Sequence, residues 1–251
     1  MKKDKSLFDE KYYLGRKIVL KSLVGSHNYN LNDESSDEDY KIFIVPTFDD
    51  LYNKEMFSSQ VIGARYDYTF HDIRKLITLL YKSNINFLEV LFSSKMFISD
   101  NIKDLHYLRD DVSRINLPYL FDSCKGTFYS KMKRIDKSTD KTRELVEKYG
   151  YNTKEAMHAY RSLKIVVDFY NNGFNNFENV IKYNDNDRLL FLDIKNGAFP
   201  KEDFIFFVND FFNNSFIPLS DKYKQHEPNI KLKKTIDEII KSTIASEICI
   251  K

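Results

Sequence analysis

Two apolar stretches, the first broken by a Gly-Ser pair and the second opened by alternating aspartates, limit the folds open to this chain more than any other feature. Ile18-Val19-Leu20-Lys21-Ser22-Leu23-Val24 reads as a strand that stops at Gly25-Ser26. Ser36-Asp37-Glu38-Asp39 then leads into a second strand with Tyr40–Val45 as its core. Strand side chains alternate between faces, so Asp37 and Asp39 share one side, roughly 6–7 Å apart along the backbone, and Glu38 takes the other. Two such carboxylates can share hard divalent cations, and a pair of cations about 3.5–4 Å apart suits in-line attack at phosphorus. Gly25 allows close backbone approach to a phosphate, and free N–H groups with the Ser26 hydroxyl can hold its oxygens. The competing reading is a solvated acidic turn, because residues 33–39 are charge-rich. Against it, the run feeds directly into a strand that would be buried.

These residues resemble the polymerase-β-like nucleotidyltransferase superfamily, whose signature is Gly-Ser, a spacer, then Asp-x-Asp. The closer likeness is to its bacterial and phage branch of RNA-ligase-associated nucleotidyltransferases, which reads Gly-Ser-x-x-Tyr-Gly-Leu and then Ser-Asp-x-Asp. Asn30 stands where that branch has Gly, and Asn is the next best residue at positive φ. The resemblance implies a Mg²⁺- or Mn²⁺-dependent transferase with Asp37 and Asp39 as metal ligands and Gly25, Ser26 and Ser36 at the nucleotide.

The 251 residues suffice for one large or two modest domains. A formal net charge of +2 argues against a dedicated nucleic-acid binder with a strong basic field, while leaving room for local basic patches. Cys124 and Cys249 are far apart without metal-ligand spacing, which fits inert thiols in a reducing compartment. No apolar run is long enough to span a membrane, and Met1-Lys2-Lys3-Asp4-Lys5 is not followed by the apolar region of a signal peptide. A cytoplasmic protein is expected.

Val61–Phe70 reads as a third strand. Asp72 then caps a helix in which Ile73, Leu76, Ile77 and Leu80 recur at helical spacing, and Asn84–Phe92 begins a shorter apolar helix. Beyond it, Leu117–Asp136, Lys154–Asn171, Glu202–Asn213 and Lys231–Ile244 favour helix, with charged loops at Lys137–Arg143 and Lys222–Pro228. The expected fold is α+β: a nucleotidyltransferase-like α/β domain with a small mixed sheet over 1–112, then a mostly helical domain over 113–251 that closes a nucleotide cleft.

A two-metal site needs a third carboxylate. Asp67, a charge within an aromatic strand, is the first choice, and the resemblance places the third aspartate on the corresponding strand. Asp72 is the second choice, better explained as a cap. Lys154, His158 and Arg161 stack at helical spacing. They read as a phosphate-contacting row, which the resemblance supports, or as a solvated basic face. Glu89 reads as a salt-bridge or supporting group, and His27 as a surface histidine beside the turn. The expected activity is transfer of a nucleoside monophosphate from an NTP to an acceptor hydroxyl, an RNA end or else a protein or small molecule. The rival is a non-catalytic nucleotide-binding module.

Overall fold

The computed structural model describes residues 10–34, 36–140 and 142–248. Ser35, Lys141, Cys249 and the first nine residues, on which parts of the readings above fall, lie outside the described set. The fold is α+β, with a mixed curled sheet in the N-terminal part and a largely helical part after it. Among the described residues, six strands form the sheet: β1 (Tyr12–Tyr13), β2 (Arg16–Val24), β3 (Glu38–Ile44), β4 (Ser58–Ile62), β5 (Tyr66–Asp72) and β6 (Met96–Ile98). Their order is β1-β2-β3-β5-β4, and β6 pairs with β2 beyond β1. β2 and β3 are antiparallel, as a chain reversing through the Gly-Ser break requires. β3 and β5 are parallel, so the intervening β4 has to turn back as the antiparallel partner of β5.

This corrects the single strand read over Val61–Phe70. The chain reverses at Gly63-Ala64-Arg65, where Gly63 N–H donates to Tyr66 O at 3.0 Å, and Val61 ends up facing Tyr68. A lone glycine is a weak turn signal, and the alternation of side chains continues on both sides of it, so the reversal is silent in the pattern. β5 therefore lies inside the sheet, between β3 and β4.

One sheet face is apolar and aromatic. Ile18, Leu23, Tyr40, Ile42, Ile44, Tyr68 and Phe70 form a buried cluster there. Tyr13 stacks on Phe70 at 3.8 Å between centroids, and Tyr40 on Tyr68 at 5.4 Å. The opposite face carries Asp39, Lys41 and Phe43 of β3 in register with Asp67, Thr69 and His71 of β5. At its far end Phe87 packs edge-on against both Phe43 and His71. Burial there holds the His71 imidazole neutral, with a pKa lowered to about 4, and the charges of Lys41 and Lys75 act the same way. Of the positions that the spacing marks, Ile73, just ahead of the helix Arg74–Tyr81, and Leu76 and Leu80 within it are buried, while Ile77 is half-buried.

The described chain gathers into two compact units. One runs up to Ile115 and takes in the chain from Asn229 onward, and the other is Asn116–Pro228. The last helix, Ile230–Ile248, read above with the second domain, groups with the sheet. Asn229 N–H donates to Ile115 O at 2.8 Å, Thr243 Oγ1 to Asn101 O at 3.0 Å, and Lys17 Nζ lies 2.6 Å from Glu247 Oε1. The second unit is helical, with Leu117–Met132, Thr153–Asn171, Asp185–Lys195 and Lys201–Phe211 as its longest elements. Thr153–Asn171 is buried around most of its circumference, including Ala156, Tyr160, Leu163, Ile165 and Phe169. The loop expected over Lys222–Pro228 begins inside a short helix, Ser220–Lys224. Cys124 is buried, and burial pushes its thiol pKa up, as expected for an inert group. Among the described residues, no helix is long and apolar enough to cross a membrane.

Arg16 and Asp50 tie β2 to the segment after β3. The guanidinium reaches both carboxylate oxygens at 2.8 and 2.6 Å, while Asp50 completes a capping box with Thr47. The Arg16 hydrogen bond is the main cause that draws the Asp50 pKa down to about 2. A depressed carboxylate adds stability that is fully present above its unfolded pKa and lost as pH falls through the folded value. We therefore expect Asp50→Ala to cost roughly 3 kcal/mol at pH 7, because it leaves the half-buried Arg16 without its carboxylate. The gap to wild type should close between about pH 4 and pH 2 in urea-unfolding series.

Candidate active site

The Gly25 break is built for glycine twice over. Its φ of 72° and ψ of −150° lie in a region that side chains avoid. A Cβ placed there would also meet Asp39 Oδ2 at 2.9 Å. The turn thus packs directly against the Asp39 carboxylate near the start of β3. Ser26–Tyr29 follows as one helical turn, with the N–H groups of Asn28 and Tyr29 donating to Gly25 O at 3.0 and 3.1 Å. Asn30 closes it in the left-handed conformation, φ 63°, the geometry expected of a residue standing where the related sequences have glycine.

Gly25 N–H has a partner within the fold. It donates to Glu89 Oε2 at 3.2 Å, and Glu89 Oε1 accepts from Lys41 Nζ at 3.3 Å. The donors that remain at the turn are the first-turn N–H groups of Ser26 and His27 and the Ser26 hydroxyl. Glu89 is buried, and its contact with the turn was not legible from spacing, because 64 residues separate the partners.

Asp39 pairs across the sheet with Val24 on one side and Asp67 on the other. Parallel partners in register put their side chains on the same face, with backbones about 4.8 Å apart. Asp39 is exposed and Asp67 half-buried. Asp37 is exposed just ahead of β3 and lines a cavity of about 460 Å³ together with His27, Ser36, Arg65 and Tyr66. His27, half-buried, places Nε2 3.0 Å from Ser36 O, and the Ser36 hydroxyl donates to Asp33 Oδ1 at 3.0 Å. The Ser36 side chain therefore shapes the loop ahead of Asp37.

Asp72 sits at the other end of β5, fully buried, with its carboxylate bound by the Arg74 guanidinium and backbone N–H. Five residues separate it from Asp67, which places it on the opposite sheet face and roughly 16 Å along the strand. The cap reading of Asp72 accounts for these contacts.

Lys154, His158 and Arg161 belong to the helix Thr153–Asn171 of the second unit and do not form a solvated basic face. Lys154 is exposed, His158 half-buried, and Arg161 only 5% exposed. Burial is the main cause holding the His158 pKa well below the usual imidazole range, aided by the charges of Arg161, Lys131, Lys154 and Lys195.

The profile of a family described as the RNA repair pathway DNA polymerase beta family, RlaP, matches residues 5–239. The chain belongs to this family. No curated protein matches the chain. RlaP membership makes this a polymerase-β-like nucleotidyltransferase relative within RNA repair, and such proteins typically use divalent metals. Among the described residues, no three carboxylate, thiol or imidazole groups are gathered as a metal cage. Mg²⁺, however, is commonly held by one or two carboxylates with substrate phosphates and water completing its shell. An all-oxygen pair, Asp39 and Asp67, beside a turn whose glycine leaves room for a carboxylate, suits such a cation.

Gly25→Ala should cost about 1–3 kcal/mol of stability from backbone strain, beyond the shift forced on Asp39. Asn30→Gly should stay within about 0.5 kcal/mol of wild type, because glycine takes the same left-handed geometry freely. Equilibrium denaturation of the two variants checks both, and equal losses would contradict the assignment of strain to Gly25.

Proposed function

We propose that this protein transfers a nucleoside monophosphate from an NTP to the terminal hydroxyl of an RNA. The observation that carries the reading is the in-register pair Asp39 and Asp67 against the Gly25-Ser26 turn, in a chain of the RNA repair family. Ser26, through its hydroxyl and N–H, binds oxygens of the triphosphate and fixes the α-phosphorus opposite the carboxylates. Asp37, Asp39 and Asp67 would hold Mg²⁺ or Mn²⁺, which when bound polarises the phosphoryl oxygens and activates the hydroxyl. Asp67, the more enclosed of the pair, stands to take the proton of the attacking hydroxyl. The acceptor O–P bond forms as the bond from the α-phosphorus to the bridging oxygen breaks, and pyrophosphate leaves. Lys154, exposed on the second unit, is the member of its row that a polyanion reaches first.

The test is incubation with each labelled NTP, Mg²⁺ or Mn²⁺, and RNA, protein and small-molecule acceptors. Label should pass to RNA. Asp39→Asn and Asp67→Asn should each lower the rate at least about 100-fold with folding intact, since each removes formal charge from a divalent-cation site. Asp72→Asn should instead lower stability and leave the rate of the folded fraction close to wild type. Transfer that persists in both Asp39→Asn and Asp67→Asn would sink the assignment, and transfer to protein alone would replace RNA as acceptor.

Lys154→Ala should weaken RNA binding and reduce its salt dependence without altering stability, because an exposed cation contributes mainly counter-ion release. Unchanged RNA affinity at low and moderate salt would remove Lys154 from the reading.

A further inference from the structure

Glu89 occupies an unusual place. It is 1% exposed yet charged, and its two oxygens point to different elements. One accepts the Gly25 N–H at 3.2 Å and the other the Lys41 ammonium at 3.3 Å. Lys41 lies on β3 two residues after Asp39, hence on the same sheet face, with Phe87 against its ammonium at 5.4 Å. A single carboxylate therefore spans from the glycine turn to the strand that carries Asp39.

The segment around Glu89 is fastened to the same strand end. Ser22 Oγ donates to Val90 O and Ser93 Oγ to Leu23 O, each at 2.7 Å, and Ser94 N–H donates to Asn28 Oδ1 at 3.1 Å. These bonds, with Val90 and Leu91 fully buried, already supply the packing. An ion pair at the same spot adds little to stability, because taking both charges out of water offsets most of their attraction. What the pair adds is geometry. Gly25 is held in a conformation that few residues adopt, close against Asp39, and a two-ended carboxylate fixes the spacing between them.

We propose that Glu89, braced by Lys41, is a positioning residue that sets the distance between the Gly25 turn and Asp39, and so aligns the α-phosphorus with the carboxylates. The proposal rests on the transferase reading above. Misplacement of a reacting group by about 1 Å can cost 100-fold in rate, so a loosened strut acts on kcat.

The test compares Glu89→Ala, Glu89→Gln and Lys41→Met with wild type in the transfer assay and in amide spectra of ¹⁵N-glycine-labelled protein. With seven glycines, such spectra are sparse. Glu89→Ala should lower kcat at least about ten-fold, with the NTP KM within about three-fold of wild type, and should shift the Gly25 resonance. Glu89→Gln keeps the side-chain volume and an oxygen for the Gly25 N–H, so it should restore the resonance and recover much of kcat. Lys41→Met should fall between them. Should Glu89→Ala unfold the chain, Glu89→Gln against Lys41→Met carries the comparison. An unmoved Gly25 resonance, or wild-type kcat in Glu89→Ala and Lys41→Met, overturns the proposal and leaves the transferase reading standing. A wild-type protein that transfers no nucleotide to any acceptor overturns that reading and the catalytic role with it, and the Gly25 resonance then decides whether the strut exists.

Discussion

Parallel pairing of β3 with β5 is the constraint from which the site follows. It places Asp39 opposite Asp67 and extends through Lys41 opposite Thr69 and Phe43 opposite His71, so one face of two strands changes from charged to aromatic within seven residues. Pairing shifted by a single residue would turn Asp67 toward the apolar cluster of Tyr40, Ile42, Tyr68 and Phe70. That cluster and the tyrosine stacking beside it hold the register, because burying a carboxylate among aromatics without a partner costs more than the roughly 2–7 kcal/mol of an unpaired neutral polar group. The hydrophobic face thus fixes where the acidic face can form.

The glycine turn depends on that register in its own way. Asp39 lies where a side chain on residue 25 would be, and the carboxylate of Glu89 takes the amide that the turn presents inward. A strained backbone persists only when its surroundings over-determine it. Here the surroundings are a strand end, a helical turn and a buried ion pair, all meeting within residues 22–41 and 89–94.

Much of this was readable from the sequence, for identifiable reasons. The two apolar runs, the Gly-Ser break and the alternation after it are local signals of period two, and they mark β2 and β3. Ile73, Leu76 and Leu80 gave a helix through period 3.6, and all three are fully buried. Local pattern failed where a reversal left the alternation intact, at Gly63-Ala64-Arg65. It failed again where polar spacing on a helix met a buried environment: Lys154, His158 and Arg161 stack as expected, yet burial deepens along the row. Glu89 bonding to Gly25, and the last helix grouping with the sheet, are long-range facts with no periodic trace in the chain.

The position of that last helix bears on how the chain is made. Residues 116–228 form an insertion whose entry and exit are joined by a hydrogen bond between Ile115 and Asn229. During synthesis the sheet strands emerge first, but the helix Ile230–Ile248, which reaches Asn101 through Thr243 and Lys17 through Glu247, emerges about 130 residues after the last of them. The inserted unit is therefore complete in sequence before the unit that contains it. The unit that holds the sheet is finished last, so a chain ended near residue 228 would carry all of the helical unit and all of the strands, but not the helix that completes the first unit.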